Sequence, residues 1–96
     1  MGATSDEGHA RTFEVFGYNT DISYRGRTFH VQTENIIEGD EPTITTLVYY
    51  QGSLLKKVTC SFADLLEEAE PFDRLKERVR AQHMQEVAAI KKGRAP

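Results

Sequence analysis

The sequence predicts an α+β fold, in which a four-stranded antiparallel sheet of two hairpins is followed by one long or kinked C-terminal helix. Two stretches of strand-like alternation each fold back at a two-residue turn that contains glycine, Arg25-Gly26 and Gln51-Gly52. After Pro71, apolar residues recur at helical spacing. An isolated four-stranded sheet needs a cover on its apolar face, and an amphipathic helix can supply it.

A chain of 96 residues has room for one domain. Residues 1–10 are small and polar, and we expect them to form a flexible N-terminal tail. Residues 11–92 are predicted to form a single β-β-β-β-α domain, and residues 93–96 a short C-terminal tail.

The first hairpin has a register that the turn and the alternation both predict. In the first strand the alternation changes phase near Gly17, which suggests a β-bulge there. With Arg25 and Gly26 as the loop, Asp21 faces His30 on a polar face. The opposite face is mainly apolar, and its members are Tyr18, Thr20, Ile22, Tyr24, Arg27, Phe29, Val31 and Thr33.

The second hairpin is predicted to follow a loop over residues 35–42, which contains acidic residues, Gly39 and Pro42. A regular register about Gln51-Gly52 places Leu47, Tyr49, Leu54, Val58 and Cys60 on one face, and Ile44, Val48, Tyr50 and Leu55 on the other. Because both faces are partly apolar, this hairpin is either covered on both sides or available to a partner.

The C-terminal segment carries helix signals at both ends. Ser61 is predicted to be an N-cap, with Asp64 at the third helical position. Pro71 either kinks one helix or begins a second one, and Gly93 fits the position after the helix end. The predicted buried stripe consists of Phe72, Leu75, Val79, His83, Val87 and Ile90.

Composition limits the function and the location. The net charge is −3 and the isoelectric point is about 5.6, which argues against a general nucleic-acid binder. A single cysteine excludes an internal disulfide and fits a reducing compartment. The N-terminus lacks a signal-peptide pattern, and no apolar run is long enough to span a membrane. We therefore expect a cytoplasmic protein without a membrane partner.

Charge is separated along the C-terminal third. Residues 61–73 contain five acidic residues and no basic ones, whereas residues 74–96 contain seven basic residues and two acidic ones. This order complements a helix dipole. The alternative is a basic contact surface formed by Arg74, Arg78, Arg80, Lys91, Lys92 and Arg94.

Catalytic and metal-binding patterns are weak. A His30–Asp21 pair can orient an imidazole for general-base catalysis, but no nucleophile lies within its reach in the predicted register. We interpret it as a cross-strand polar pair or part of a binding surface. His83 is interpreted as a packing residue, with a pH-responsive or interfacial role as the alternative. The sequence lacks zinc-ligand spacing and a phosphate loop, so we predict no enzyme, no metal and no cofactor.

Aromatic and basic residues on the strands suggest one alternative function. Stacking aromatics combined with Arg and Lys are typical of sheets that bind single-stranded nucleic acid. The competing interpretation is that these aromatics form the core of the sheet. The aromatic residues are Tyr18, Tyr24, Phe29, Tyr49 and Tyr50.

The stretch GRTFHVQTEN, followed by ITTLVYYQG, resembles a set of small bacterial proteins that share the motif G-x-x-F-H-V-Q-T-E. The resemblance covers residues 16–92. It implies a context in which small partner proteins stimulate a Ras-like GTPase in cell polarity, but it transfers no residue roles. The β-β-β-β-α order is also similar to the whirly and transcriptional-coactivator folds, which bind single strands across their sheets.

The function that these observations favour is a non-enzymatic protein-interaction module, an adaptor or regulatory partner in bacterial signalling. A protein partner is expected and a homodimer is the further possibility, while the acidic charge disfavours nucleic acid. The predicted contact residues are Arg25, Arg27, His30, Tyr50 and Leu55.

Overall fold

A computed structural model describes residues 15–38 and 41–94, and it confirms the α+β fold. Four antiparallel strands lie in the sheet in chain order, followed by a 3₁₀ helix and an α-helix. The elements are β1 (Gly17–Tyr24), β2 (Arg27–Glu38), β3 (Glu41–Tyr50), β4 (Ser53–Ser61), the 3₁₀ helix (Ala63–Glu67) and α1 (Pro71–Lys91).

Some predictions fall outside the described residues. The N-terminal tail over residues 1–10, the start of the first predicted strand and the last two residues of the C-terminal tail all lie there. Neither helix of the described segments is both long and apolar enough to span a lipid bilayer.

The first hairpin has the predicted register. Asp21 pairs with His30, Ile22 with Phe29 and Tyr24 with Arg27. Arg25 and Gly26 both have positive φ, 53° and 79°, as a type I′ turn requires. The described pairing runs from Gly17 to Tyr24 without a shift, and the residues before Gly17, where the phase change was predicted to begin, lie outside this pairing.

The predicted loop over residues 35–42 is wrong, because the structure extends β2 to Glu38 and begins β3 at Glu41. Ile36 pairs with Thr43 and Ile37 with Pro42. The β-branched residues favour strand here and outweigh the loop signals of the acidic residues and proline. Residues 39 and 40 lie outside the described part of the chain.

The second hairpin departs from the predicted register because β4 contains a bulge. Tyr49 pairs with Leu54 but Val48 pairs with Lys56, so Leu55 is an extra residue on β4. The following residues change face: Val58 pairs with Thr46 and Cys60 pairs with Ile44. Val58 and Cys60 therefore lie opposite to the face that they were predicted to share with Leu47 and Tyr49.

Pro71 separates two helices, which settles the alternative that the sequence left open. It occupies the first turn of α1, where its missing N–H costs no hydrogen bond. The predicted cap at Ser61 is only partly correct: Ser61 Oγ accepts the N–H of Ala63 at 3.1 Å, but the residue that precedes the 3₁₀ helix is Phe62. Asp64 does not complete a capping box, since its carboxylate binds Arg78.

Gly93 ends α1 as predicted, with φ of 77°. Its N–H donates to Ile90 O at 2.9 Å, and Arg94 N–H donates to Ala89 O at 2.7 Å, which together form a Schellman motif.

Helix α1 covers one face of the sheet, and the core between them forms two clusters. One contains Ile22, Phe29, Val31, Val48, Val87 and Ile90, and the other contains Ile44, Phe62, Leu65, Leu75 and Val79. The predicted helix stripe is buried except at Phe72, which is 44% exposed. Phe72 lies in the first turn of α1, next to the buried Pro71.

Candidate functional site

The face of the sheet opposite to α1, here called the distal face, differs between its two hairpins. Along β1 and the start of β2 it carries polar residues, among them Asp21, Ser23 and His30. Along β3 and β4 it carries Leu47, Tyr49 and Leu54. Strand alternation places Leu47 and Tyr49 on this face, because Val48 between them points toward α1.

The apolar part of the distal face extends to the edge of the sheet. Leu54 is 51% exposed, and Leu55, in the neighbouring bulge, is 40% exposed. Tyr49 and Leu47 are half-buried. We call these four residues the hairpin patch. Apolar side chains that cluster at the end of an edge strand can bind a partner through the hydrophobic effect.

His30 lies next to the hairpin patch. Its Nδ1 is 2.8 Å from Asp21 Oδ1, as the predicted register requires, and its ring centroid is 6.3 Å from that of Tyr49. The side chains of His30 and Asp21 are 41% and 73% exposed. An exposed, oriented imidazole can donate one hydrogen bond to a partner or accept one from it.

The structure does not bring the five predicted contact residues onto one surface. Arg25 lies at the hairpin tip, where its guanidinium is 5.3 Å from the centroid of the Tyr24 ring. Arg27 and Tyr50 are on the side of the sheet that faces α1, whereas His30 is on the distal face. Of the five, only Leu55 belongs to the hairpin patch, and only His30 lies beside it.

Tyr50 packs as the competing interpretation of the strand aromatics predicted. It is half-buried, it packs against the first core cluster, and its ring centroid is 5.3 Å from that of Phe29. Its neighbour Tyr49 is also half-buried but lies on the distal face.

Most of the strand aromatics face α1. Tyr18, Tyr24, Phe29 and Tyr50 pack against the core clusters, and Tyr49 is the one of the five on the distal face. A base-stacking platform needs several exposed aromatic rings. Among residues 15–38 and 41–94, the distal face therefore carries one of these aromatic rings rather than the array on which the nucleic-acid alternative depends.

Two of the residues assigned to a basic contact surface are in ion pairs instead. Arg78 donates two hydrogen bonds of 2.9 Å to the Asp64 carboxylate, and Arg74 Nη1 is 3.2 Å from Glu68 Oε1. The Arg78 hydrogen bonds hold the pKa of Asp64 below its ordinary value, against the opposing effect of desolvation. The acidic block thus binds the basic block and holds the 3₁₀ helix against α1.

A polar belt crosses the middle of the core, and the sequence analysis did not predict it. His83 is 1% exposed, with Nε2 2.7 Å from Thr20 Oγ1 and Nδ1 2.8 Å from Thr33 Oγ1. Thr33 Oγ1 is 2.8 Å from Thr46 Oγ1, which accepts a 3.1 Å hydrogen bond from Gln82 Nε2. We call these five residues the polar belt. It lies between the two apolar clusters.

The signal for the belt was present in the sequence. Thr20 and Thr46 each occupy an inward position between apolar residues of their strand, Thr33 lies inward between Val31 and Asn35, and His83 lies in the middle of the helix stripe. Hydroxyls at corresponding inward positions of three strands indicate a hydrogen-bonding partner on the covering element. His83 is thus buried, as the packing interpretation expected, but it is also hydrogen-bonded at both ring nitrogens.

A shallow groove of about 350 Å³ runs between β4 and α1. Its lining includes Val58, the exposed Cys60 and Gln85. Within residues 15–38 and 41–94, no group of three or more His, Cys, Asp or Glu side chains is arranged to hold a metal ion.

Comparison of the chain with models of known protein families, with curated proteins and with solved structures finds no match.

Proposed function

We propose that this protein is a non-enzymatic interaction module that binds a partner protein through the hairpin patch. The observation that carries the proposal is the exposure of Leu54 and Leu55 beside Tyr49, at the end of an edge strand. Burying large apolar side chains contributes about 25 cal/mol per Å² of apolar surface, and aromatic anchors dominate many interfaces. His30 adds a polar group at the rim of this patch.

The histidines support a binding role over a catalytic one. His83 is buried in the polar belt, out of reach of a substrate. His30 is oriented by Asp21, and its neighbour on the next strand is the half-buried Tyr49. The arrangement suits recognition at a surface, where one oriented donor or acceptor adds specificity.

The partner we propose is a protein in cytoplasmic signalling, with a small Ras-like GTPase as the first candidate. That candidate rests on the resemblance of the G-x-x-F-H-V-Q-T-E stretch and on no residue-level transfer. A stimulated rate of GTP hydrolysis by the candidate GTPase, in the presence of this protein, is the expected activity.

The test compares Leu54→Ser with Met84→Ser in binding to the candidate GTPase, or to a partner identified by affinity capture. Met84 is an exposed apolar residue of α1, 43% exposed, and serves as the matched control. Leu54→Ser should weaken binding about tenfold or more, as expected for an interface anchor. Met84→Ser should leave it unchanged. Equal effects of the two substitutions, or none from Leu54→Ser, would contradict the proposal.

A further inference from the structure

The hydrogen bonds of the polar belt can run in a direction that leaves only one hydroxyl, that of the partly exposed Thr20, without an acceptor in the belt. Gln82 Nε2 can only donate, so Thr46 Oγ1 accepts from it. The Thr46 hydroxyl then donates to Thr33, and the Thr33 hydroxyl donates to His83 Nδ1. His83 Nε2–H donates to Thr20 Oγ1. This arrangement requires a neutral His83 that carries its proton on Nε2.

A proton on Nδ1 would oppose this direction. Nδ1–H would have to donate to Thr33, whose hydroxyl would turn to Thr46. Thr46 would then accept from both Thr33 and Gln82, and its own proton would lose its acceptor in the belt. The charged ring would also be buried, since His83 is 1% exposed. Both effects disfavour the protonated form in the folded protein.

No acidic side chain in the belt balances a charge on His83. The nearest turn of α1 carries the buried Glu86, but its carboxylate is 2.9 Å from Lys56 Nζ of β4. Burial lowers the pKa of His83 and the positive charge of His30, on the distal face, lowers it further. The other titratable or charged residues on the α1 side of the four strands are Tyr18, Tyr24, Arg27, Tyr50 and Cys60.

We infer that the polar belt is an acid-sensitive latch: protonation of His83 reverses the hydrogen bond at its Nδ1 and weakens the attachment of α1 to the sheet. The sign follows from linkage. An unfolded or released His83 takes up a proton below about pH 6.5, whereas the buried ring does not. The contribution of His83 to the free energy of unfolding is therefore fully present above that pH. It decreases as the pH falls, and it stops decreasing once the buried ring also takes up a proton. This latch does not depend on the proposed partner binding.

The test is the urea unfolding equilibrium, followed by the helical circular dichroism signal, between about pH 7.5 and pH 5.5, on either side of the ordinary histidine pKa. The unfolding constant should rise by up to about tenfold per pH unit below about pH 6.5. His83→Gln should remove most of this rise, whereas His30→Gln should keep it. His9 is present in every variant and cancels in the comparison.

An equally steep rise in His83→Gln would overturn the inference. If that variant does not fold, the ring nitrogen resonances of His83 in the wild-type protein provide the second measurement. The latch predicts a neutral Nε2–H ring that stays neutral in the folded protein well below about pH 6.5. A folded-state titration of His83 at the ordinary pKa would overturn it.

Discussion

The position of Gly93 favours glycine for two reasons. Its φ is 77°, and a Cβ built at this position would lie 2.6 Å from Tyr24 Oη. A left-handed backbone costs a residue with a Cβ about 1–3 kcal/mol, and the contact with Tyr24 would add to this cost. Gly52 has a φ of 80° with no atom within 4 Å of a built Cβ.

We therefore predict that Gly93→Ala lowers the free energy of unfolding by more than Gly52→Ala does. Urea denaturation of both variants measures the difference. Tyr24→Phe in the Gly93→Ala background should recover part of the extra loss, because it removes the oxygen nearest to the new Cβ. Equal losses at the two glycines would mean that the Tyr24 contact has no energetic effect.

For individual residues, the sequence predicted the Asp21–His30 pair but not the polar belt. The Asp21–His30 contact follows from a two-residue turn and strand alternation, which involve residues close in sequence. The belt joins Thr20, Thr33 and Thr46 to His83, and the His83–Thr20 contact spans 63 residues. Which helix residue meets which strand residue depends on the placement of α1, and no local pattern encodes that placement.

Among the elements, β4 differs most from its predicted form. If β4 kept all its residues in a regular register, Val58 and Cys60 would lie on the distal face. The extra residue Leu55 shifts the register by one and places them on the face toward α1. A β4 from which Leu55 is removed would be regular and would keep the same pairing from Lys56 onward.

We predict that deletion of Leu55 is tolerated. Lys56 would still pair with Val48, and Val58 with Thr46, so the core contacts of β4 would be kept. The unfolding midpoint in urea should change little, with native circular dichroism. Deletion of Thr45 is the control: β2 and β3 pair without a shift, so losing a β3 residue inverts one end of the strand. That control should unfold the protein or destabilise it severely.

A Thr45 deletion that folds like the wild-type protein would show that the strand register does not determine the stability of this sheet.

The bulge in β4 could not be predicted from the sequence, because Leu54 and Leu55 are both apolar and either can be the extra residue. The loop predicted over residues 35–42 was wrong for a related reason. Turn-forming residues there occupy only the end of a long hairpin, whose strands are held by cross-strand pairs far from the turn.

Among the described residues of the whole molecule, one face of the sheet packs against α1, and no described helix covers the other face. The helix side contains both apolar clusters and the polar belt. The fold class was predictable, because it follows from alternation, turn chemistry and helical spacing. Which face of the sheet the helix covers was left open, because it depends on the register of both hairpins. Of the predicted contact residues, Arg27 and Tyr50 lie on the helix side, while Leu47, Tyr49 and Leu54 lie with Leu55 and His30 on or beside the hairpin patch.

The central claim is that the hairpin patch binds the partner, and backbone amide chemical shifts of the labelled protein test it most directly. On titration with the captured partner or the candidate GTPase, we predict the largest changes at Leu47, Tyr49, Leu54 and Leu55, with smaller ones at His30. The outer face of α1 around Met84 should be unaffected. Changes confined to α1 or to the Arg25 turn, with an unperturbed hairpin patch, would contradict the account.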